Sequence, residues 1–582
     1  MRPANEHAGT TEEGLMEDAR GPNAVPSAQG AGAGGRLRNG APGGRLRVTL
    51  VKPPLRVPTT AYGTLRCPPI GLASIAAVLE ERGIAVTIVD AVGEDPRRIS
   101  ATDHRHFVRV GLEDDEIVAR IPPDVTVLGV SCMFSEEWPF TRRVIEALRR
   151  AFPEVPIVGG GEHINAAPEF SMRDCPALDA CVLGEGEETF AALLEAMRAG
   201  TPLGEVAGIA YMEDGAFART PPRVRIRDLQ SIPRPAWHLV PLANYLDNGF
   251  GFGIGRVRSY PILASRGCPY ECTFCSNPEM WTTRWYARDP DAVLDEMGWA
   301  IQTYGVENFD FYDLTAIVRK DWIRDFCQRL IARGYKTAWQ LPTGTRSEAL
   351  TDDVLPLLRE SGCRYLVYAP ESGSPGVLKR IKKKVHLDRM KDSMRQAVAA
   401  GLTVKCNFVV GFPGETRREL WETVRFCYQL AGIGIADVNI GPFCPYPGSE
   451  LFNQLQAEGR LRGMDDAYFE MLAVYADLAR SRSWTEHVTH RQLLLFRLVA
   501  MGVFYARAFA RRPSRVFSLV RNVRSGKHET RLDRNVADIF DRWRGVAARL
   551  AFWRRPAAGA APFAGGAAAL GGRPSVTSDP AR

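Results

Sequence analysis

The chain has 582 residues, 45% of them apolar and 24% charged, with a formal net charge of +7. That length allows two or three domains with buried cores, and so mild a net charge does not force a nucleic-acid partner. Twelve cysteines without regular pairing argue for a reducing compartment, the cytoplasm.

Residues 1–45 are rich in Gly, Ala, Pro and charge, lack the apolar run of a signal peptide, and are expected to be a disordered leader. A first folded unit is expected over 46–200. Its strands are read at 47–51, 85–90, 125–131, 156–158 and 180–183, and its helices at 71–83, 136–151 and 187–198, with a Pro-rich loop at 53–69 and a polar insertion at about 92–123. Short apolar strands alternating with amphipathic helices predict a doubly wound, Rossmann-like α/β sheet, with ligands beyond the carboxyl ends of its strands. Gly-rich turns fall at those ends: Gly159-Gly160-Gly161 and Gly184-Glu185-Gly186. No G-x-G-x-x-G follows the first strand, which weighs against a nicotinamide or flavin.

Residues 201–255 read as a connector with strands near 206–212 and 222–226. Over 256–456 strands and helices alternate again, with strands at 261–265, 308–313, 337–341, 365–368, 404–410 and 436–440. Six βα units predict a partial (β/α)6 barrel of the TIM type, with its chemistry on the loops at the carboxyl ends of the strands.

The first of these strands runs into Ser265-Arg266-Gly267-Cys268-Pro269-Tyr270-Glu271-Cys272-Thr273-Phe274-Cys275. Three cysteines in the pattern C-x3-C-x2-C, turned by Gly267 and Pro269, can bring three thiolates to one soft metal centre. A structural zinc site closes with four protein ligands, and no second pair follows here. Three ligands leave one coordination position open, as on a cubane iron–sulfur cluster. The competing reading is three unrelated core cysteines, which have no reason to take this spacing.

At these residues the chain resembles the radical S-adenosylmethionine (SAM) superfamily, whose signature is C-x3-C-x-aromatic-C, with Phe274 at the aromatic position. The resemblance implies a 4Fe-4S cluster on Cys268, Cys272 and Cys275, whose open iron chelates SAM and donates the electron that splits it into methionine and a 5′-deoxyadenosyl radical. Ala369-Pro370-Glu371-Ser372-Gly373-Ser374 presents one carboxylate in a small-residue turn, as a ribose diol requires. The family has a matching G-x-E-S-G segment on the ribose, although Ala369-Pro370 departs at the usual glycine; a surface carboxylate is the alternative. By the same resemblance, Gly411-Phe412-Pro413-Gly414-Glu415-Thr416 lies near the adenine, through Gly411 and Pro413, and the loop 442–449 near the substrate. Plain turn chemistry is the alternative for both. Tyr312 and Asp313 end a strand, where facing the cavity and satisfying the core are equally open.

The first unit looks like the cobalamin-binding domain that precedes the radical domain in one subclass of the superfamily. The matching residues are Pro68-Pro69-Ile70-Gly71-Leu72, Ser131, Gly159-Gly160-Gly161-Glu162-His163 and Gly184-Glu185-Gly186-Glu187-Glu188. The resemblance implies cobalamin contacts at Ser131, Gly159, Gly160, His163, Gly184 and Glu185. No D-x-H-x-x-G follows the first strand, so no histidine is placed to ligate cobalt from below, and His163 is a corrin contact or a solvated turn residue.

From 457 to 555 the chain is read as a basic helical domain, and 556–582, rich in Ala, Gly and Pro, as a disordered tail. From residue 457 onward there are 22 Lys and Arg against 11 Asp and Glu. The apolar run 493–507 is interrupted by Arg497 and Arg507, which predicts a packed helix and no transmembrane segment. The nearby arginines, from Arg511 to Arg524, read by default as a solvated face, with peripheral contact to anionic lipid or to an acidic substrate as the alternative.

Together the resemblances imply an enzyme that uses the cluster, SAM and methylcobalamin to methylate an unactivated carbon of a small molecule. A flavodoxin or ferredoxin would be the electron donor. The alternatives are an oxidative cyclase of the anaerobic magnesium-protoporphyrin ester type and a cobalamin-binding, iron–sulfur regulator.

Overall fold

The computed structural model describes residues 36–37, 44–61, 63–255, 257–473, 477 and 482–540. Ten strands form its first half: β1 (Arg47–Lys52), β2 (Leu55–Pro58), β3 (Ala85–Asp90), β4 (Ile99–Ala101), β5 (Phe107–Val110), β6 (Val127–Ser131), β7 (Ile157–Gly160), β8 (Ala180–Val182), β9 (Ile209–Glu213) and β10 (Ala216–Arg219). Val48, Leu50 and Val51 of β1 are buried, as an inner strand covered on both faces requires. The main sheet runs β10-β9-β8-β7-β6-β1-β3. It is parallel from β3 to β8, and β9 and β10 continue it antiparallel. Strand order reverses between β1 and β6, which makes their carboxyl ends the switch point where such sheets bind ligands.

The structure corrects the sequence expectations in four places. Within the expected leader, Leu37 is buried in the hydrophobic core and Arg36 donates to Asp179 at 2.8 Å; most of the leader, and the tail 556–582, lie outside the described residues. The 53–69 loop and the polar insertion supply a second, antiparallel sheet, β2-β5-β4. No strand forms over 222–226; the hairpin β9–β10 forms in its place and joins the main sheet. Two helices not expected, Glu162–Ala166 and Pro168–Asp174, follow β7.

Eight further strands form the second half: β11 (Ser259–Ile262), β12 (Ser265–Arg266), β13 (Tyr286–Ala287), β14 (Asn308–Phe311), β15 (Ala338–Thr345), β16 (Cys363–Glu371), β17 (Thr403–Val410) and β18 (Asp437–Pro442). Six of them make an all-parallel sheet in the order β11-β14-β15-β16-β17-β18, the partial barrel expected. The Gly-rich stretch before it is shaped by close approach: a Cβ at Gly253 would lie 2.2 Å from Gln340 Nε2, and Gly253 N–H donates to Asp310 at 2.9 Å.

The helix His490–Arg511 packs Leu493, Ala500, Phe504 and Ala508 inward, against the helix Arg417–Ile433 and β18. Arg497, which interrupts the apolar run, also points inward, donating to the Ile440 carbonyl at 3.0 Å and the Asp477 carbonyl at 3.3 Å. The packed-helix expectation therefore holds for this face. Leucine at 497 would strip buried carbonyls of a donor, at about 2 kcal/mol. Arg497→Leu is expected to lower the urea midpoint accordingly, and an unchanged midpoint would show that the guanidinium does not anchor the helix.

Candidate active site

The cysteine loop is held at both ends. β12 pairs antiparallel with β13, Ser265 opposite Ala287 and Arg266 opposite Tyr286, so residues 267–285 leave and return to one ribbon. Gly267 sits at φ +88°, and a Cβ there would fall 2.1 Å from the Arg284 carbonyl oxygen, which restricts the position to glycine. Beneath it, Asp313 accepts from Ala264 N–H at 3.1 Å and Ser265 Oγ at 2.5 Å. Burial raises the Asp313 carboxyl to about 6 against these hydrogen bonds. Asp313 thus satisfies the core and supports the loop.

Cys268, Cys272 and Cys275 are free and half-buried. Cys275 N–H donates to the Cys272 carbonyl at 3.1 Å, and Thr315 Oγ1 donates to Cys268 Sγ at 3.5 Å. Burial raises the Cys272 thiol and pushes that of Cys275 up to about 12, so thiolates here call for a cationic partner. Among the described residues no three His, Cys, Asp or Glu side chains close on a single ion. A cubane asks for something different, because each thiolate binds a separate iron. Three soft donors on one pinned loop fit that requirement.

Glu371 ends β16 at φ +64°, where the pairing with β17 shifts register. A non-glycine residue held there costs about 1–3 kcal/mol, strain that clusters at functional sites. Its carboxylate is buried and accepts from Lys383 Nζ at 2.9 Å. Burial opposes the Lys383 charge, but Glu371 and Cys272 outweigh it and raise the ammonium's pKa. Lys383, inside the run Lys382-Lys383-Lys384, gave no sequence signal to set it apart from a surface lysine.

Phe274 lies 5.6 Å from Phe412, and Phe412 lies 5.1 Å from Phe443, ring to ring. Three strand-end loops of the barrel therefore meet in one aromatic cluster. Gly411 and Pro413 belong to its middle loop, which is tied from within. Glu415 accepts from Gly411 N–H at 2.5 Å and Phe412 N–H at 3.2 Å. Leu493 fills the space where a Gly411 side chain would go, 2.5 Å from its ideal Cβ.

At the carboxyl edge of the first sheet, Ser131 stands opposite Gly160. A Cβ at Gly160 or Gly184 would meet nothing within 4 Å, whereas one at Gly159 would press on Leu178 at 3.1 Å. Met133 and Phe134, just past Ser131, are 45% and 49% exposed. Open glycine backbone beside apolar side chains suits a large, flat, mostly apolar ligand such as a corrin.

Two residues expected at this edge are used otherwise. His163 is not a solvated turn residue: its ring is buried, 3.0 Å from Ser135 Oγ, and packed on Trp138 and Phe469. Burial drives its pKa down to about 3, which keeps it neutral. Glu185 accepts from Ile226 N–H at 2.8 Å and pairs with Arg225 at 3.4 Å and Arg266 at 3.1 Å. Arg266 also pairs with Glu187 at 2.5 Å, and these four side chains are all nearly buried. Burial opposes the Arg266 charge, but the two carboxylates hold its pKa above the usual value.

This cluster joins the loop after β8 to the residue that opens the cysteine loop, so the carboxyl edges of the two sheets face each other. Ser276 and Glu162, at 3.2 Å, make a second link. Tyr245, in the connector, ties to the first sheet alone: it donates to Asp90 at 2.8 Å and accepts from Lys52 at 3.0 Å across the ends of β1 and β3. Sequence reading also passed over Glu136 and Glu137, just beyond β6. Burial lifts their carboxyls to about 7 and about 8, and Glu136 Oε2 is buried with no hydrogen-bond partner among the described residues.

Two expectations follow. Burial holds the Glu415 carboxyl near 8, above its unfolded value of 4.5. The folded chain therefore binds more protons between those values, and stability falls as pH rises through that window. Glu415→Gln keeps an acceptor for both amides and is expected to flatten the fall, measured as urea midpoint against pH; an identical slope would place the buried proton elsewhere. Removing Arg266 leaves the buried Glu187 carboxylate without its cation, while Glu185 keeps Arg225, at about 3 kcal/mol or more. Arg266→Met is expected to lower the unfolding free energy by about that amount, and adding Glu187→Leu to recover part of it; strictly additive losses would mean the pair is not coupled.

Comparison with known proteins agrees with this geometry. The family model for the radical SAM superfamily matches residues 262–427, and that for the B12 binding domain residues 58–194. An uncharacterized methyltransferase of Pyrococcus horikoshii is 30% identical over 420 residues, covering 72% of this chain and 85% of the relative. The cytidylyl-2-hydroxyethylphosphonate methyltransferase of Streptomyces wedmorensis is 29% identical over 426 residues, 67% of this chain and 78% of the relative. In fold, the chain is similar to the radical SAM methyltransferase TsrM from Kitasatospora setae, solved with cobalamin and a [4Fe-4S] cluster. The TM-score is 0.55 at 18% identity, covering 71% of this chain and 75% of that one. The chain is therefore an enzyme of the radical SAM superfamily, in the branch with a B12 binding domain ahead of the radical domain, and its cofactors are SAM, a 4Fe-4S cluster and cobalamin.

Proposed function

We propose that the protein methylates an unactivated carbon of a small organic substrate held between the facing carboxyl edges of its two sheets. The observation that carries this reading is the buried Arg266–Glu185–Glu187 link, which sets the glycine-lined edge of one sheet against the cysteine loop of the other. A C–H bond that must lose hydrogen on one side and gain a methyl group on the other needs two reagents on opposite sides of one carbon, and this arrangement offers two opposed faces. The two relatives above, both called methyltransferases, support the same choice.

In this reading Cys268, Cys272 and Cys275 hold the cluster. Ser131, Gly160 and Gly184, with Met133 and Phe134, cradle the corrin. When bound, the cluster supplies the electron that cleaves SAM and cobalamin supplies the methyl group. The chain's own task is positioning. Lys383 holds the Glu371 carboxylate, whose free lone pairs accept from the ribose hydroxyls. The Phe274, Phe412 and Phe443 cluster keeps water from the SAM side. Glu136 and Glu137, poised near neutrality, are the groups suited to hold or move a proton at the substrate. A flavodoxin or ferredoxin in the cytoplasm is the reductant proposed.

The test is anaerobic reconstitution with iron, sulfide and hydroxocobalamin, followed by reductant and SAM, with products read by mass spectrometry. The wild-type chain is expected to release both 5′-deoxyadenosine and S-adenosylhomocysteine, and Cys272→Ala to release no 5′-deoxyadenosine while still binding cobalamin. Deoxyadenosine without S-adenosylhomocysteine would replace methylation by an oxidative or ring-forming reaction, and cleavage retained in Cys272→Ala would remove the cluster assignment.

A further inference from the structure

The helix His490–Arg511 is long and apolar enough to cross a membrane by length and composition, yet one face is packed on the barrel through Arg497 and Phe504. Its other face is apolar as well, with Leu495 60% and Leu498 47% exposed. The next helix, Ser514–Ser525, buries only Asn522 and leaves Phe517 76% exposed, beside Val516 and Val520. Around those three lies a shallow apolar hollow of about 690 Å³, rimmed by Arg521 and Arg524.

Charge in this segment is one-sided. Between Glu486 and Glu529 there are nine Lys and Arg and no Asp or Glu. Some are used inside the fold: Arg507 donates to the Tyr428 carbonyl at 2.9 Å and Arg515 to that of Ile435 at 3.1 Å. Arg511, Arg512, Arg521, Arg524 and Lys527 are exposed. A solvated basic face, the default sequence reading, accounts for the cations but leaves an exposed phenylalanine and valines among them unexplained.

We propose that this face docks on an anionic lipid bilayer, with the helix Ser514–Ser525 lying in the interface. Phe517, Val516 and Val520 would enter the boundary between headgroups and acyl chains while the arginines remain among the lipid phosphates. The geometry does not favour a span. Crossing the bilayer would pull the helix His490–Arg511 off the barrel and take the inward Arg497 guanidinium, with its carbonyl contacts, into hydrocarbon. The inference rests on the surface alone and is independent of the reaction proposed above.

Flotation of the full-length protein tests it, with vesicles of phosphatidylcholine alone and of phosphatidylcholine and phosphatidylglycerol in equal parts. Expected is flotation with the anionic vesicles only, weakened by salt. Phe517→Asp with Val520→Asp is expected to abolish it. Arg521→Ser with Arg524→Ser should weaken vesicle affinity by about thirtyfold, at about 1 kcal/mol per cation near an anionic surface. All four side chains are exposed, and an unchanged circular dichroism spectrum verifies folding. Failure to float with either vesicle, or flotation indifferent to both pairs of substitutions, would overturn the proposal. A dimer in sedimentation that Phe517→Asp dissociates would overturn it too, by making a second copy the occupant.

Discussion

A charge withdrawn from water must be paired, and at the junction of the two sheets that rule fixes the architecture. Arg266 is committed to Glu185 and Glu187, and Arg225 shares Glu185. All four are nearly buried, so the loops that carry them cannot separate without stranding a charge. One loop leaves β8 and the other opens the cysteine loop. The two sheets are thereby held carboxyl edge to carboxyl edge, the ends where α/β folds bind their ligands. Relative placement of the two cofactor sites follows from one ion-pair cluster and the smaller tie at Glu162–Ser276.

The C-terminal helices take part in the same construction. Leu493 occupies the space beside Gly411, Thr485 Oγ1 donates to the Glu415 carbonyl at 2.7 Å, and Trp484 N–H donates to the Gly411 carbonyl at 3.3 Å. The loop expected near the adenine is thus set from outside by a segment remote in sequence. One helix braces the barrel through its inner face and, with its neighbour, presents an apolar and basic outer face.

Much of this was legible in the sequence, because it is written in local pattern. Alternating βα runs gave both sheets, and the cysteine spacing, with Gly267 where only glycine fits, gave the ligand loop. Glu371 was marked by a small-residue turn at a strand end. What escaped reading depends on partners far along the chain. Glu185 looked like a ligand contact until Arg266, 81 residues on, took its carboxylate. His163 read as a corrin contact or a solvated turn residue, and only the fold surrounds it with Trp138 and Phe469. The small antiparallel sheet was missed for a related reason: Arg109 in β5 is buried by pairing with Asp114 at 2.7 Å, and an arginine in a short polar stretch reads as surface.

The most direct test of the clamped arrangement is a distance. In the reconstituted protein, cobalt(II) cobalamin and the reduced cluster are both paramagnetic, and pulsed dipolar electron paramagnetic resonance reports their separation and its spread. A rigid junction predicts one narrow distribution in the wild-type chain and a broader one in the folded Arg266→Met, Glu187→Leu variant, where both ion pairs of Arg266 are lost and only Arg225–Glu185 remains. A broad distribution in the wild type, or an identical narrow one in the variant, would contradict the claim that this ion-pair cluster sets the two sites against each other.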